Sequence, residues 1–413
     1  MNRLAATVRR FKDPAALALI AVLTILAGIL NHSFIGFPKG YDAYGHMSKI
    51  KLLVDYFPNS DWNHEWYSGM LYSEGSFPPL FHYIGGILVG VFGISAATAL
   101  IVIAAASFVL IGWALYGFVR IATGDHIAAL VAALFLTSSA GYWTYIVEFG
   151  LYPRILGMAF LAMFAFFAVL YYTRGARPAY VATVLSLAGA LSSHLLIGAI
   201  GVALAILIIA ALPRPLHQRA FEAGKLLAPA VLLVAWFYLP YVFFLQRPPS
   251  VPLFTRAYQQ LSLSALFVPG MPGGRFGSLP FFLLPAAIAL PVAGLVTGRV
   301  LRQVVSQRVL VVTCVAALSS LVYAFVGLPT PGQSIYNFQP GQALFFASWF
   351  LAAVVGLSLS ALKPPLPVAG GLVVALVAFV LVTAPDVARG EINGDNATTV
   401  SYTHLTLPTI LRV

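Results

Sequence analysis

PLFHYIGGILVGV, residues 79–91, is almost wholly apolar and yet only 13 residues long. A bilayer core about 30 Å thick needs about 20 residues of helix, so this stretch is too short for a full crossing. Its reading decides the fold, because every later loop changes side with it. Were it to cross, the basic loops TRGARP (173–178) and GRVLRQVVSQR (298–308) would face outward, against the bias of Lys and Arg toward the inner side. The stretch is therefore read as interfacial or re-entrant.

Working outward, the chain of 413 residues is 60% hydrophobic and 8% charged, with a mean hydropathy of +0.92. A soluble core of this size would carry far more charge. Apolar runs of spanning length recur without strand-like alternation, which excludes a membrane β-barrel and predicts an all-α, polytopic helical membrane protein. Spans are expected at about 15–30, 96–119, 127–143, 155–172, 178–193, 195–212, 226–246, 280–298, 309–327, 342–361 and 366–384, that is, about 11 transmembrane helices.

The net charge of +11 would suggest nucleic acid in a soluble protein. With the N-terminus placed inside, 14 of the 23 basic residues and three of the 12 acidic ones fall on the inner side, which leaves the outer side neutral. The excess is a topology signal, so no nucleic-acid partner is implied, and the expected location is the cell membrane, multi-pass, with a cytoplasmic N-terminus. Cys314, the only cysteine, lies in an expected span and excludes an internal disulfide.

Residues 1–384 read as one transmembrane domain with an outer loop at 31–79. Residues 385–400 read as the start of a truncated outer segment, and SYTHLTLPTILRV (401–413) resembles translated adapter sequence, so it is set aside as a sequencing artefact. A genuine flexible tail is the other reading of those last residues.

The ionisable groups on the outer side are the candidates for chemistry, because such groups are costly near a membrane. Asp42, in GYDAYGHMSKIKLLV, is placed to act as a general base or to hold a metal, with His46 one turn further along a helix whose apolar stripe is Ile50, Leu53, Val54 and Phe57. Aspartate is equally a favoured helix N-cap. Glu65, Trp66 and Tyr67 in DWNHEWYSG could bind a sugar ring, although Trp and Tyr also gather at any membrane interface. Glu148 and Arg154 in VEFGLYPRILG stand at the outer mouth of an expected span, where Arg154 could hold a phosphate or instead pair with Glu148. His194, in LSSHLLIG, is either a turn residue or a group at headgroup depth. GMPGGRFGSLP lacks the Lys-Ser/Thr ending of a phosphate loop, which leaves Arg275 and the earlier Arg256 as its region's candidates.

One span, then an outer loop with an early Asp (Asp42), Trp66-Tyr67 with Gly69, and a closing Pro78-Pro79-Leu80, resembles the GT-C superfamily of membrane glycosyltransferases. It is also similar to bacterial membrane proteins labelled as related to 6-pyruvoyl-tetrahydropterin synthase. The resemblance implies a GT-C-like fold, a sugar donor linked to a polyprenyl phosphate, membrane lipids as partners, and an acceptor on the outer side. Asp42 matches the superfamily's first-loop acid, Glu148 the acid of its second outer loop, and His194 matches by position alone. Many members carry a second acid one or two residues after the first. Here Ala43 and Tyr44 follow Asp42, so the cofactor, a divalent metal ion or none, stays open.

The expected function is therefore a membrane glycosyltransferase. The alternative is a transporter or lipid-handling protein without transferase activity, which should place ionisable or broken-helix features at the bilayer midplane. Few such features stand within the expected spans.

Overall fold

The computed structural model describes residues 2–40, 42–57, 62–63, 70–71, 78–139, 142–143, 146, 150–244, 283–299, 304–326 and 343–392. Among these, thirteen helices follow one another: α1 (Asn2–Leu30), α2 (Ala43–Tyr56), α3 (Leu80–Gly90), α4 (Ala96–Thr123), α5 (His126–Thr137), α6 (Tyr152–Arg174), α7 (Arg177–Ser193), α8 (Leu195–Ala210), α9 (Leu216–Phe244), α10 (Leu283–Val296), α11 (Val304–Val326), α12 (Ala343–Leu362) and α13 (Leu366–Ile392). Two two-residue strands, Trp62–Asn63 and Met70–Leu71, pair antiparallel within the long early loop.

The ends of these helices follow local chemistry. Ser95 opens α4 by accepting a hydrogen bond from the Thr98 amide at 3.0 Å. Asp125 opens α5 by accepting from the amides of Ile127 and Ala128 at 3.0 and 3.1 Å. Between the two helices Gly124 takes φ +74°, the left-handed conformation that ends a helix cheaply only in glycine.

Among the described residues a helix lies within each of the eleven expected spans, but six, not eleven, are long and apolar enough to cross a membrane: 13–30, 96–123, 152–174, 216–239, 345–362 and 366–384. The chain is a multi-pass helical membrane protein. α12 is its axis, for 89% of its apolar window is buried, against 17% for α13 and 22% for α9 at the periphery. Small residues permit this closeness. A Cβ on Gly356 of α12 would come within 2.8 Å of the Ala132 methyl and 2.9 Å of the Ala128 carbonyl oxygen on α5.

α1 and α4 run antiparallel. The Arg120 side chain donates from Nε to Asp13 at 3.0 Å, the Trp113 indole donates to the Leu17 carbonyl at 2.8 Å, and at the other end the Phe34 and Phe108 rings lie 5.9 Å apart. The end of α1 and the start of α4 thus share one end of the bundle. Everything described between them begins and finishes there. α3 belongs to that end as well, since His82 near its start meets His46 of α2 at 3.0 Å and its last residue leads directly into the start of α4, so the stretch at 79–91 packs there, beside α2.

α6 starts at the same end, since the Tyr152 hydroxyl donates to the Lys39 carbonyl at 3.0 Å. Its last residue, Arg174, therefore lies at the opposite end. There the chain also carries Arg120 with Asp13, and Arg214 bound to Glu222 at 2.7 Å.

The expected apolar stripe of α2 is corrected by the structure. Its buried face is Ala43, His46, Lys49, Ile50, Leu52 and Leu53, whereas Phe57 is 73% exposed. Packing against α3 and α4 sets which side turns inward, and two polar side chains lie within that side.

Candidate active site

Asp42, His46 and Lys49 stand at i, i+4 and i+7, one stripe along α2. Asp42 precedes the helix at its N-terminus, yet its carboxylate makes no capping hydrogen bond. The capping alternative for Asp42 is thereby corrected: the backbone there is already helical (φ −86°, ψ −4°), outside the extended conformation in which a cap side chain reaches the free amides.

Five further side chains gather at this stripe. His82, from α3, brings Nε2 to 3.0 Å from Nδ1 of His46, so one imidazole donates and the other accepts. The His46 ring also stands edge-on to Tyr152 and Phe81, at centroid separations of 6.2 and 5.7 Å. From α6, Arg154 donates through Nε to Nε2 of His194 at 2.9 Å. His194 sits between α7 and α8, where its Nδ1 also lies 3.2 Å from the Leu196 amide nitrogen. A neutral imidazole has one acceptor nitrogen, so only one of these contacts is a hydrogen bond. The Arg154 contact is taken as the bond, being shorter and assisted by the guanidinium charge.

His46, Lys49, His82, Arg154 and His194 are each at most 6% exposed, while Asp42 remains half-buried. The site is thus one partly open carboxylate with a buried basic wall near it. Burial, then the charges of Lys49 and Arg154, hold the His46 imidazole neutral, pulling its pKa from 6.5 down to about 3. Burial likewise lowers Lys49 from 10.5 to about 8, against the opposing pull of Asp42. Lys49 is therefore still mostly charged at neutral pH.

A pair of glycines brings the wall to the stripe. Gly40 and Gly150 adopt φ +88° and +66°, and any Cβ on Gly40 would overlap the Gly150 amide nitrogen. The segment entering α6 is thereby pressed against the segment entering α2. The Tyr152–Lys39 hydrogen bond closes the same junction.

Of the residues singled out from the sequence, Asp42, His46, Arg154 and His194 come together at this end of the bundle. Glu65, Trp66, Tyr67, Glu148, Arg256 and Arg275 lie outside the described residues, as does the segment 393–413. Lys49 and His82 were not singled out, although each had a signal. Lys49 is a lysine within an otherwise apolar helical stripe, and His82 is a histidine in the short apolar stretch at 79–91. An open cleft of about 530 Å³ runs along another flank of α2, lined by Tyr44, Met47, Ser48, Lys51, Val54, Asp55, Val89 and Ala96. None of the six clustered residues lines it, so it is not the seat of their chemistry.

Among the described residues no group of three His, Cys, Asp or Glu side chains could hold a metal ion. Asp42 acts electrostatically on Lys49, and Lys49 and Arg154 both act on His46.

No family model and no curated protein sequence matches the chain. Solved structures do. The oligosaccharyltransferase of Archaeoglobus fulgidus in its apo form aligns with a TM-score of 0.55 at 14% identity, over 93% of this chain and 56% of that one. The same archaeal enzyme, AglB, in complex with an inhibitory peptide and a dolichol-phosphate aligns at 0.53 and 14% identity, over 97% and 60%. The arabinofuranosyltransferase AftD from mycobacteria aligns at 0.58 and 16% identity, over 91% of this chain and 27% of that one. The chain spans little more than half the length of the oligosaccharyltransferases, and across nearly all of its own length it has the fold of these membrane glycosyltransferases.

Proposed function

We propose that this chain is a membrane glycosyltransferase of GT-C type. In this reading it moves a sugar from a polyprenyl-phosphate donor to an acceptor on the outer side, through about eleven crossings of the cell membrane with the N-terminus in the cytoplasm. The observation that carries the reading is the convergence of Asp42, His46, Lys49, His82, Arg154 and His194 from four separate chain segments at one end of an apolar bundle. The shared fold supports it, as does the dolichol-phosphate bound by one of the proteins with that fold. The end of the bundle opposite Asp42 carries basic side chains, in keeping with an inner side there. The resemblance to proteins labelled pterin-synthase-related adds no activity to this reading.

In the reaction the acceptor hydroxyl oxygen attacks the anomeric carbon. The bond from that carbon to the phosphate oxygen breaks with its electron pair staying on the phosphate, and the acceptor proton passes to Asp42. Energy for transfer resides in the donor's leaving group, which suits a side of the membrane without ATP. Buried as they are, Lys49 and Arg154 favour the departing phosphate through their field rather than by direct contact. Direct contact with the phosphate falls to Arg256 and Arg275 as the sequence candidates, with Glu148 as a second catalytic acid and Glu65, Trp66 and Tyr67 for the sugar.

The test is Asp42→Asn, which keeps the side chain's shape and removes the base. In an assay with a polyprenyl-phosphate-linked sugar in nanodiscs, turnover should fall by about 100-fold to 10,000-fold. Near-normal turnover of a folded Asn variant would remove Asp42 from the reaction.

A further inference from the structure

At the end of the bundle opposite Asp42, Lys225 ties three helices together. From α9 its ammonium donates to the Tyr171 hydroxyl of α6 and stands 5.1 Å from the ring centroids of both Tyr171 and Tyr180, while the Tyr180 hydroxyl of α7 donates to the Lys225 carbonyl at 2.9 Å. Lys225 Nζ also lies 3.8 Å from one carboxylate oxygen of Glu222, and the other oxygen accepts from Arg214 at 2.7 Å. The charge of this buried acid is doubly matched. The other two acids described at this end are engaged as well, Asp13 by Tyr116 and Arg120, and Asp125 by the amides of Ile127 and Ala128 on its own helix.

None of the three is left for the turn that joins α6 to α7. It reads Arg174-Gly175-Ala176-Arg177, and Gly175, at φ +66°, ends one helix so that the next begins two residues later. Both arginines are exposed, and among the described residues neither has a hydrogen bond or an ion pair. Tyrosines gather where a bilayer meets water, and Tyr171 and Tyr180 stand three residues before and after this turn. Arg177 heads a stripe of α7 that continues through Val181 and Leu185, at i+4 and i+8. Those two are 52% and 54% exposed, whereas Thr183, Val184 and Leu187 on the other faces are buried. A pair of unmatched cations thus stands above an apolar face that extends about 12 Å down the helix.

We propose that the α6–α7 turn is a binding site for one anionic phospholipid: Arg174 and Arg177 hold the phosphate of its headgroup, and the Val181–Leu185 face carries one of its acyl chains. This goes beyond the transferase reading and does not depend on it. The general bias of Lys and Arg toward the inner side explains why arginines stand at this end. It does not explain why these two stay unmatched while all three described acids are engaged elsewhere. A soluble anion would use the guanidiniums and leave the apolar face idle, and a lipid with a cationic headgroup would bring its own positive charge against them. A lipid with net negative charge satisfies both parts.

The experiment uses the full chain in detergent, stripped of lipid. Phosphatidylglycerol or phosphatidylcholine with the same acyl chains is titrated in, and native mass spectrometry counts the bound lipid. The wild type should take up a single phosphatidylglycerol in preference to phosphatidylcholine. Arg174→Gln and Arg177→Gln should each weaken that binding about fivefold, the effect of losing one basic side chain beside a phosphate. Lys363→Gln removes another exposed charge at the same end of the bundle and should leave binding unchanged. Excess glycerophosphoglycerol, the headgroup without its chains, should not displace the lipid. Equal uptake of the two lipids overturns the proposal, as does full phosphatidylglycerol binding in the Arg174→Gln/Arg177→Gln variant. An equal loss in Lys363→Gln overturns it by showing that net charge alone attracts the lipid, and displacement by the chainless headgroup overturns it in favour of a soluble anion. Should the double variant fail to fold, the wild type's choice of lipid and the Lys363→Gln comparison with each single variant still decide.

Discussion

Nδ1 of His46 lies 3.0 Å from Nε2 of His82, a contact between two buried imidazoles 36 residues apart. It ties the helix that follows the first span to the short apolar helix that does not cross. Each ring satisfies the other in a place that excludes water, so neither can be altered alone without leaving a polar nitrogen short of that partner. Replacing His82 by Leu should therefore cost about 1–3 kcal/mol. The His46→Leu/His82→Leu double variant should cost less than the sum of its parts. Thermal unfolding of the four proteins in one detergent gives the coupling, and strict additivity would show that the pair contributes no joint stability.

Stability should depend on pH in a direction set by His46. Its imidazole titrates at about 3 in the folded chain and near 6.5 when unfolded, because burial first, then Lys49 and Arg154, oppose its charging. Between those values the unfolded chain takes up a proton that the folded chain refuses. The stability is fully present above about 6.5 and is lost as pH falls toward 3. Lys49 acts in the same direction at higher pH, since its folded value of about 8 lies below the ordinary 10.5 and stability rises with pH across that window. Melting temperatures from pH 4 to 7 check this, and the slope should be shallower in His46→Phe.

Gly40 and Gly36 make a controlled pair. Both have positive φ, +88° and +73°, but a Cβ on Gly36 meets nothing within 4 Å whereas one on Gly40 overlaps the Gly150 backbone. Gly36→Ala should cost about 1–2 kcal/mol, the penalty of the left-handed conformation alone. Gly40→Ala should cost clearly more and should separate the α6 entry from the α2 entry, lowering activity as well. Equal melting temperatures for the two variants would show that the junction at Gly150 is not held as described.

Asp42→Asn and Asp42→Ala should be equally stable to within about 0.5 kcal/mol. Both remove the same charge, and there is no capping hydrogen bond for alanine to lose. Were the alanine variant less stable by about 1 kcal/mol, Asp42 would be a cap after all.

The turn between α3 and α4 should lie on the same side of the membrane as Asp42. In a Cys314→Ser background, Phe92→Cys should react with an impermeant maleimide from outside intact cells, and Arg177→Cys should not. Phe92 is exposed and just follows α3, so the opposite pattern would mean that α3 crosses and every loop changes side.

Hydropathy alone was enough to mark where the helices fall and to single out residues 79–91 as too short an apolar run for a full span, while six helices among the described residues are long and apolar enough to cross. Hydropathy belongs to short windows of chain and survives whatever the rest of the molecule does. Asp42, His46, Arg154 and His194 could be picked out for a related reason: an ionisable group in a nearly uncharged sequence is conspicuous by itself. What only the tertiary structure decided is which of these groups meet. His46 finds His82 across 36 residues, Arg154 finds His194 across 40, and Tyr152 reaches the Lys39 carbonyl across 113. Those contacts depend on how α2, α3, α6 and the α7–α8 junction pack, and on two glycines that let two backbones touch. Lys49 shows the difference most plainly. By composition it belongs with the loop's other lysines on the surface, and only the rotation of α2 against α3 and α4 turns it inward, toward the face it shares with His46 and Asp42.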